Sequence, residues 1–269
     1  MTTDEPVYLD YQATTPVDPR VRDVMLPWFD EMFGNPHSSD HAYGWVAEQA
    51  VEDARGHIAK LIGAKPNEIT FTSGATEANN LAVKGTVRAI SSDRNHVVTC
   101  ATEHKCVLES CARLEREGFT VTYLPVEKSG LLDLDLLENA LSERTALVSI
   151  MMVNNEIGVI QPLENISKIC KSRGITFHSD FAQCLGYIEL DNLLSDVNMI
   201  TMSSHKIYGP KGIGLLLIDE EINLEPLIVG GGQEYGLRSG TLPLPLVVGF
   251  AKAIEIAVFN QKNNAEKLL

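Results

Sequence analysis

Seven short apolar runs alternate with amphipathic stretches along most of this chain, and that alternation restricts the fold more than any other feature of the sequence. The runs Glu68 to Thr72, His96 to Ala101, Phe119 to Val126, Ala146 to Val153, Ile175 to Asp180, Met199 to Ser203 and Gly212 to Ile218 are rich in Val, Ile, Thr and Phe and read as strands. Between them, Ala47, Val51, Ala54, Ile58 and Leu61 make one helical stripe, and segments 76–90, 105–116, 134–142 and 163–173 repeat the pattern. Strand-helix alternation predicts an α/β fold with a mainly parallel, seven-stranded sheet covered on both faces. In such sheets ligands bind at the carboxyl ends of the strands.

The 269 residues suffice for one large core, since a chain of this size buries about 75% of its unfolded surface. The balance of 36 acidic against 22 basic side chains, a net charge of −14, disfavours nucleic-acid and anionic-membrane partners. The first residues carry no basic start followed by an apolar stretch, and the longest apolar runs, such as Ala146 to Val153, fall far short of a membrane span. A cytoplasmic protein with reduced thiols is expected, because five cysteines without a secretion signal do not suggest a disulfide framework.

Polar residues cluster just past the strand-like runs. Asp180 closes one of them and Lys206 follows the next, and a carboxylate and an amine are what the ring nitrogen and the aldehyde of pyridoxal 5'-phosphate require. A helix cap is the other reading of Asp180, and Lys211 in its Gly-Pro-Lys-Gly turn competes with Lys206; we take Lys211 as a loop lysine. The turn from Thr72 to Glu77, with Ala75 and Thr76 at a helix start, suits a phosphate, although Ser and Thr also cap ordinary helices. Ser203 and His205 add donors beside the lysine. His104, after the second run, could stack on a flat ring or simply cap a helix. Asn155 could offer an amide or only shape a turn. Five such polar elements fall at one end of a single predicted sheet.

Together these segments resemble a cysteine desulfurase of the class V aminotransferase group, within the fold-type I pyridoxal-phosphate enzymes. The likeness extends over Tyr8 to Pro16, Phe33 to Ser38, His41 with Gly44, Thr72 to Glu77, Thr102 to Lys105, Val153 to Gly158, Ser203 to Gly212, and Gly230 to Glu234 leading to Arg238-Ser239-Gly240-Thr241. The resemblance implies that Lys206 bonds the cofactor and then moves the α-proton of L-cysteine. It further implies that Asp180 pairs with the ring nitrogen, that His104 stacks on the ring, and that Asn155 and Gln183 lie near the phenolic oxygen. Ala75, Thr76, Ser203 and His205 would hold the phosphate, and no metal ligand is implied. Thr241 would reach the cofactor of a second subunit, so a homodimer is expected, with a sulfur-acceptor or iron-sulfur scaffold protein as a further partner. The implied domains are 1–15 as an N-terminal part of a small domain, 16–262 as the cofactor-binding large domain, and 263–269 as the start of a truncated C-terminal region.

The stripe Val247, Phe250, Ala251, Ile254 and Val258 runs on through Leu268 with no stop signal, which suggests a helix cut short. In the family, the thiol that receives sulfur and the arginine that binds the substrate carboxylate lie further on than Leu269. The expected chain is therefore a desulfurase lacking its persulfide-carrying loop and the rest of its small domain, with apolar surface left open near the N-terminus. Cys100, Cys106, Cys111 and Cys170 read as packing thiols, while Cys184 lies next to Gln183 near the expected cofactor. Other functions consistent with these residues are a non-catalytic cofactor-binding or dimerising partner and another class V activity, such as selenocysteine lyase or aminotransferase.

Overall fold

A computed structural model describes residues 6–90, 93–190 and 196–268; residues 1–5 of the expected N-terminal segment and Leu269 lie outside the described residues. Seven strands, β1 (Ile69–Thr72), β2 (His96–Cys100), β3 (Thr120–Leu124), β4 (Thr145–Ser149), β5 (Thr176–Asp180), β6 (Met199–Ser203) and β7 (Gly214–Ile218), form one sheet. Its order is β1-β7-β6-β5-β4-β2-β3. Strands β2 to β6 pair in parallel, whereas β7 is antiparallel to both of its neighbours, β1 and β6. β1 therefore points the same way as β2 to β6.

The interior strands read as continuous apolar runs because helices cover both faces. On one face Val98, Val148, Ile200, Leu215 and Leu217 pack with α1 (Pro19–Met25), α2 (Pro27–Asp30), α3 (Ala42–Ile62), α7 (Leu134–Ala140), α8 (Leu163–Ser172) and α9 (Leu244–Leu268). On the other, Val97, Leu147, Met199 and Leu216 meet α4 (Ala75–Asn80), the wide turn Leu81–Gly85, α5 (Thr86–Ala89) and α6 (Lys105–Arg116). β3, at the sheet edge, is partly exposed along most of its length.

Two expectations are corrected. The run expected as a strand from Ala146 to Val153 is a regular strand only to Ser149; Ile150 and Met152 N–H still donate to His178 O and Asp180 O of β5, and Asn154 then builds a turn by accepting hydrogen bonds from the Glu156 and Ile157 amides. And α9 is apolar and long enough to cross a membrane by length and composition, which the lengths of uninterrupted apolar runs do not reveal. Its inner residues Val247, Phe250 and Ile254 are fully buried in the core, so it is a core helix of the α/β body. Val7 and Leu9 form no strand and are 81% and 82% exposed, in keeping with the open apolar surface expected there.

Facing β1, Glu234 and Tyr235 adopt φ values of 49° and 57°, a region that non-glycine residues occupy only under compensating contacts. The compensation comes from a buried ion pair. Arg55 on α3 makes two hydrogen bonds to the Glu234 carboxylate, at 3.0 and 2.7 Å, and donates to Ile69 O, while Phe71 N–H donates to Glu234 Oε2 at 2.6 Å. Arg55→Ala would strand a buried carboxylate, and it is expected to destabilise the chain by about 3–5 kcal/mol. Urea unfolding checks this; a loss below about 1 kcal/mol would show that the pair does not organise this edge.

Candidate functional site

The two faces change character along the strands. On the α4/α6 face the apolar residues Val97, Leu147 and Met199 give way, toward the carboxyl ends, to Thr99, Ser149, His178, Asp180, Thr201 and Ser203, all buried. His178 sits between Ser149 Oγ at 2.9 Å and Thr201 Oγ1 at 3.1 Å, and burial drives its pKa down to about 3, so it is a neutral bridge. Above this polar floor opens a cavity of about 410 Å³.

Nine of the ten residues singled out from sequence line that cavity: Ala75, Thr76, His104, Asn155, Asp180, Gln183, Ser203, His205 and Lys206. They come from the ends of β1, β2, β4, β5 and β6, which the shared direction of these strands brings to one rim. Thr241 is exposed and lies apart from it. Lys211 bonds Thr15 O and does not line the cavity.

The phosphate-type turn is packed down by glycine. A Cβ on Gly214, where β7 enters, would stand 2.8 Å from Gly74 Cα and 2.7 Å from Met202 O, so only glycine lets the turn rest on the sheet. Glu77 secures the same turn, accepting from Ser73 N–H at 2.8 Å and from Arg238 Nε at 2.8 Å. Through Arg238 it also ties in the segment that carries Thr241.

Asp180 accepts from Ala182 N–H at 2.8 Å and from Asn79 Nδ2 at 2.6 Å, yet burial still raises its pKa above the ordinary carboxylate value. Lys206 is half-buried, and desolvation lowers its pKa against the pull of Asp180, Asp10 and Glu156. Its Nζ donates to Gln12 O at 2.6 Å and Ala13 O at 2.8 Å. His205 loses proton affinity through burial and the nearby Lys206 and Lys211, and its Nδ1 meets Thr14 Oγ1 at 3.0 Å.

Several lining or supporting groups were not anticipated. Gln12 and Ala13 form a strap over Lys206, with Gln183 Nε2 also donating to Gln12 O at 3.0 Å. Asn79 lies three and four residues before Ala82 and Val83 on the buried helix stripe, and a polar residue in that stripe was the available signal. Glu103 is buried, accepts from Met151 N–H at 2.7 Å, and burial pushes its pKa well up. Among the thiols, Cys106, expected as packing, lines the cavity, whereas Cys184 is fully buried and does not.

An anion, a pyridine nitrogen and an aldehyde each find partners here. Ser203 Oγ is buried in the wall with no hydrogen-bond partner, Asp180 is a buried acceptor, and Lys206 is an amine of reduced proton affinity. That donor set fits pyridoxal phosphate.

The family model for class-V aminotransferases matches residues 7–268, and the chain belongs to that family, which uses pyridoxal phosphate. It is a homologue of the cysteine desulfurases called IscS. It is 56% identical over 254 residues to cysteine desulfurase IscS of Rickettsia rickettsii (strain Iowa), covering 94% of this chain and 62% of that protein. The chain therefore spans less than two thirds of the length of this curated relative. Among solved structures, a NifS-like protein matches with a TM-score of 0.94 at 42% identity, over 97% of this chain and 72% of that one. A structure described as SspA in complex with cysteine matches with a TM-score of 0.88 at 44% identity, over 93% and 72%. The fold is that of the large domain of fold-type I pyridoxal-phosphate enzymes.

The raised pKa of Asp180 sets a pH-dependent prediction. Its carboxyl binds a proton more tightly folded than unfolded, so the penalty for ionising it is complete above the folded pKa and absent below the ordinary value of 3.8. Asp180→Asn should therefore make the cofactor-free chain more stable near pH 7.5, with the gain shrinking as pH falls, since Asn79 can turn its unpartnered Oδ1 toward the new amide. Urea midpoints at several pH values measure this. A variant less stable than the parent at pH 7.5 would contradict it.

Proposed function

We propose that this chain carries the pyridoxal 5'-phosphate site of a cysteine desulfurase, acting on L-cysteine to yield L-alanine and sulfur passed to a thiol as persulfide. One observation carries the reading: a buried carboxylate at the end of β5 and a half-buried lysine after β6 line the same cavity as the Ala75-Thr76 turn. A desulfurase homologue and a solved relative described in complex with cysteine support the substrate class.

When bound, pyridoxal phosphate supplies an electron sink for the electrons left on an amino acid's α-carbon. The chain's own residues then divide the remaining work. Asp180 would hold a proton on the ring nitrogen, and the two donors already on its oxygens favour its ionised form once a cation faces it. Ala75, Thr76, Ser203 and His205 would hold the phosphate, with Asn155 and Gln183 near the phenolic oxygen and His104 against the ring. Lys206 Nζ, partly stripped of water, would bind the aldehyde carbon and afterwards carry the α-proton. Thr241 would serve the site of a second subunit in a homodimer, and the large domain would comprise residues 16–262.

Sulfur must leave on a thiolate that can move, and this chain's cysteines are poorly suited to that task. All five are buried. Burial pushes Cys106 up to about 11 and Cys111 and Cys170 up to about 12, and raises Cys100 and Cys184 as well. The persulfide carrier is therefore assigned to a thiol outside this chain, with a sulfur-acceptor or iron-sulfur scaffold protein beyond it. The same burial favours a second reading, a cofactor-binding partner without turnover of its own, which copurification with a complete desulfurase would distinguish.

Pyridoxal phosphate added to the chain is expected to produce the visible band of a lysine-bound cofactor, absent in Lys206→Ala and altered by L-cysteine. A band that survives Lys206→Ala would remove the assignment. In the same samples alanine and sulfide should stay at background; turnover matching a complete desulfurase would mean that one of the five buried thiols does move.

A further inference from the structure

Cys106 lies in the cavity wall and is held by more than packing. Its Sγ is 3.0 Å from His104 Nδ1 and 3.1 Å from Asn79 Nδ2, and Asn79 Nδ2 is in turn 2.6 Å from Asp180 Oδ2. The direction of each bond follows from the donors available. The Cys106 backbone N–H donates to His104 Nδ1 at 3.2 Å, so Nδ1 carries a lone pair and its neutral ring keeps its proton on Nε2. The sulfur then donates its S–H toward Nδ1, sharing that lone pair with the backbone N–H, while accepting one of the two Asn79 amide hydrogens, and the Thr76 side chain bonds the same sulfur. The other amide hydrogen goes to Asp180. Burial keeps the thiol protonated at neutral pH, as this role requires.

We propose that Cys106 is a positioning residue: its thiol, donating to His104 Nδ1 and accepting from Asn79, joins the exposed imidazole to the buried Asp180 carboxylate in one hydrogen-bonded chain that sets the ring's orientation. His104 is otherwise exposed, and nothing but the start of α6 would restrain its rotation. The two groups assigned to the ring nitrogen and the ring face are thereby tied to each other. The consequence for cofactor binding rests on the reading of this cavity as a pyridoxal-phosphate site; the hydrogen-bonded chain itself does not.

The S–H stretching band of the cofactor-free protein tests the tie directly. The band lost in Cys106→Ala should lie at lower frequency than that of Cys170, whose thiol is buried with no polar partner among the described residues, and should move to the free position in His104→Phe. A Cys106 band indifferent to His104→Phe would overturn the proposal. In the second arm pyridoxal phosphate is titrated into Cys106→Ser and Cys106→Ala, each first checked for an unchanged melting temperature. Serine, which keeps both donor and acceptor, should hold affinity within about twofold, and alanine should lose about three- to tenfold, the range one neutral hydrogen bond spans. Equal losses in both variants would reduce Cys106 to a packing residue. Failure of the parent chain to bind pyridoxal phosphate would sink the proposed function while the infrared result still decided the tie.

Discussion

The shared direction of β1 and β2 to β6 is the constraint on which the rest of the molecule hangs. Parallel pairing forces β2 to β6 to return by crossovers and delivers the segments after Cys100, Ser149, Asp180 and Ser203 to one rim, and β1, turned the same way by the antiparallel β7 between it and β6, adds the segment after Thr72. The antiparallel β7 reinforces this, since it enters at that rim through Gly214 and leaves no room there for anything but the backbone of the Gly74 turn.

The same rim carries the fold's energetic liabilities. A carboxylate with a raised pKa, a hydroxyl with no partner at Ser203 and an amide oxygen with none at Asn79 are all enclosed by the carboxyl ends of the strands. Buried polar groups left this way weaken a folded chain, and they persist where a ligand completes them. The floor below is satisfied instead, through Ser149, His178 and Thr201, whereas Ser203 Oγ in the cavity wall is left without a partner among the described residues.

Two distant segments are drawn to this layer by polar contacts. Residues 12–15 cross the site through main-chain acceptors for Lys206 and a hydroxyl bridge from Thr15 to His205 O and Tyr208 N. The loop from Gly230 to Thr241 is held at one point by Arg55 and at another by Glu77, which also braces the Gly74 turn.

Much of this could be read from the chain alone. Continuous apolar runs marked all seven strands and period-3.6 stripes the helices between them, and polar residues at five strand ends marked the rim, because burial on both faces leaves a recognisable apolar run that stops where the backbone leaves the sheet. Ala75, His104, Asp180 and Lys206 were legible for that reason. Asn79, Cys106, Glu103 and the strap at Gln12 were not, since each meets a partner 27 to 194 residues away. Local pattern determined which segments are strands and which of their ends are polar; the tertiary structure decided which of those ends meet and which amide, thiol or carbonyl faces each one, because hydrogen-bond direction depends on distances that strand order and crossover packing impose and that spacing along the chain does not encode.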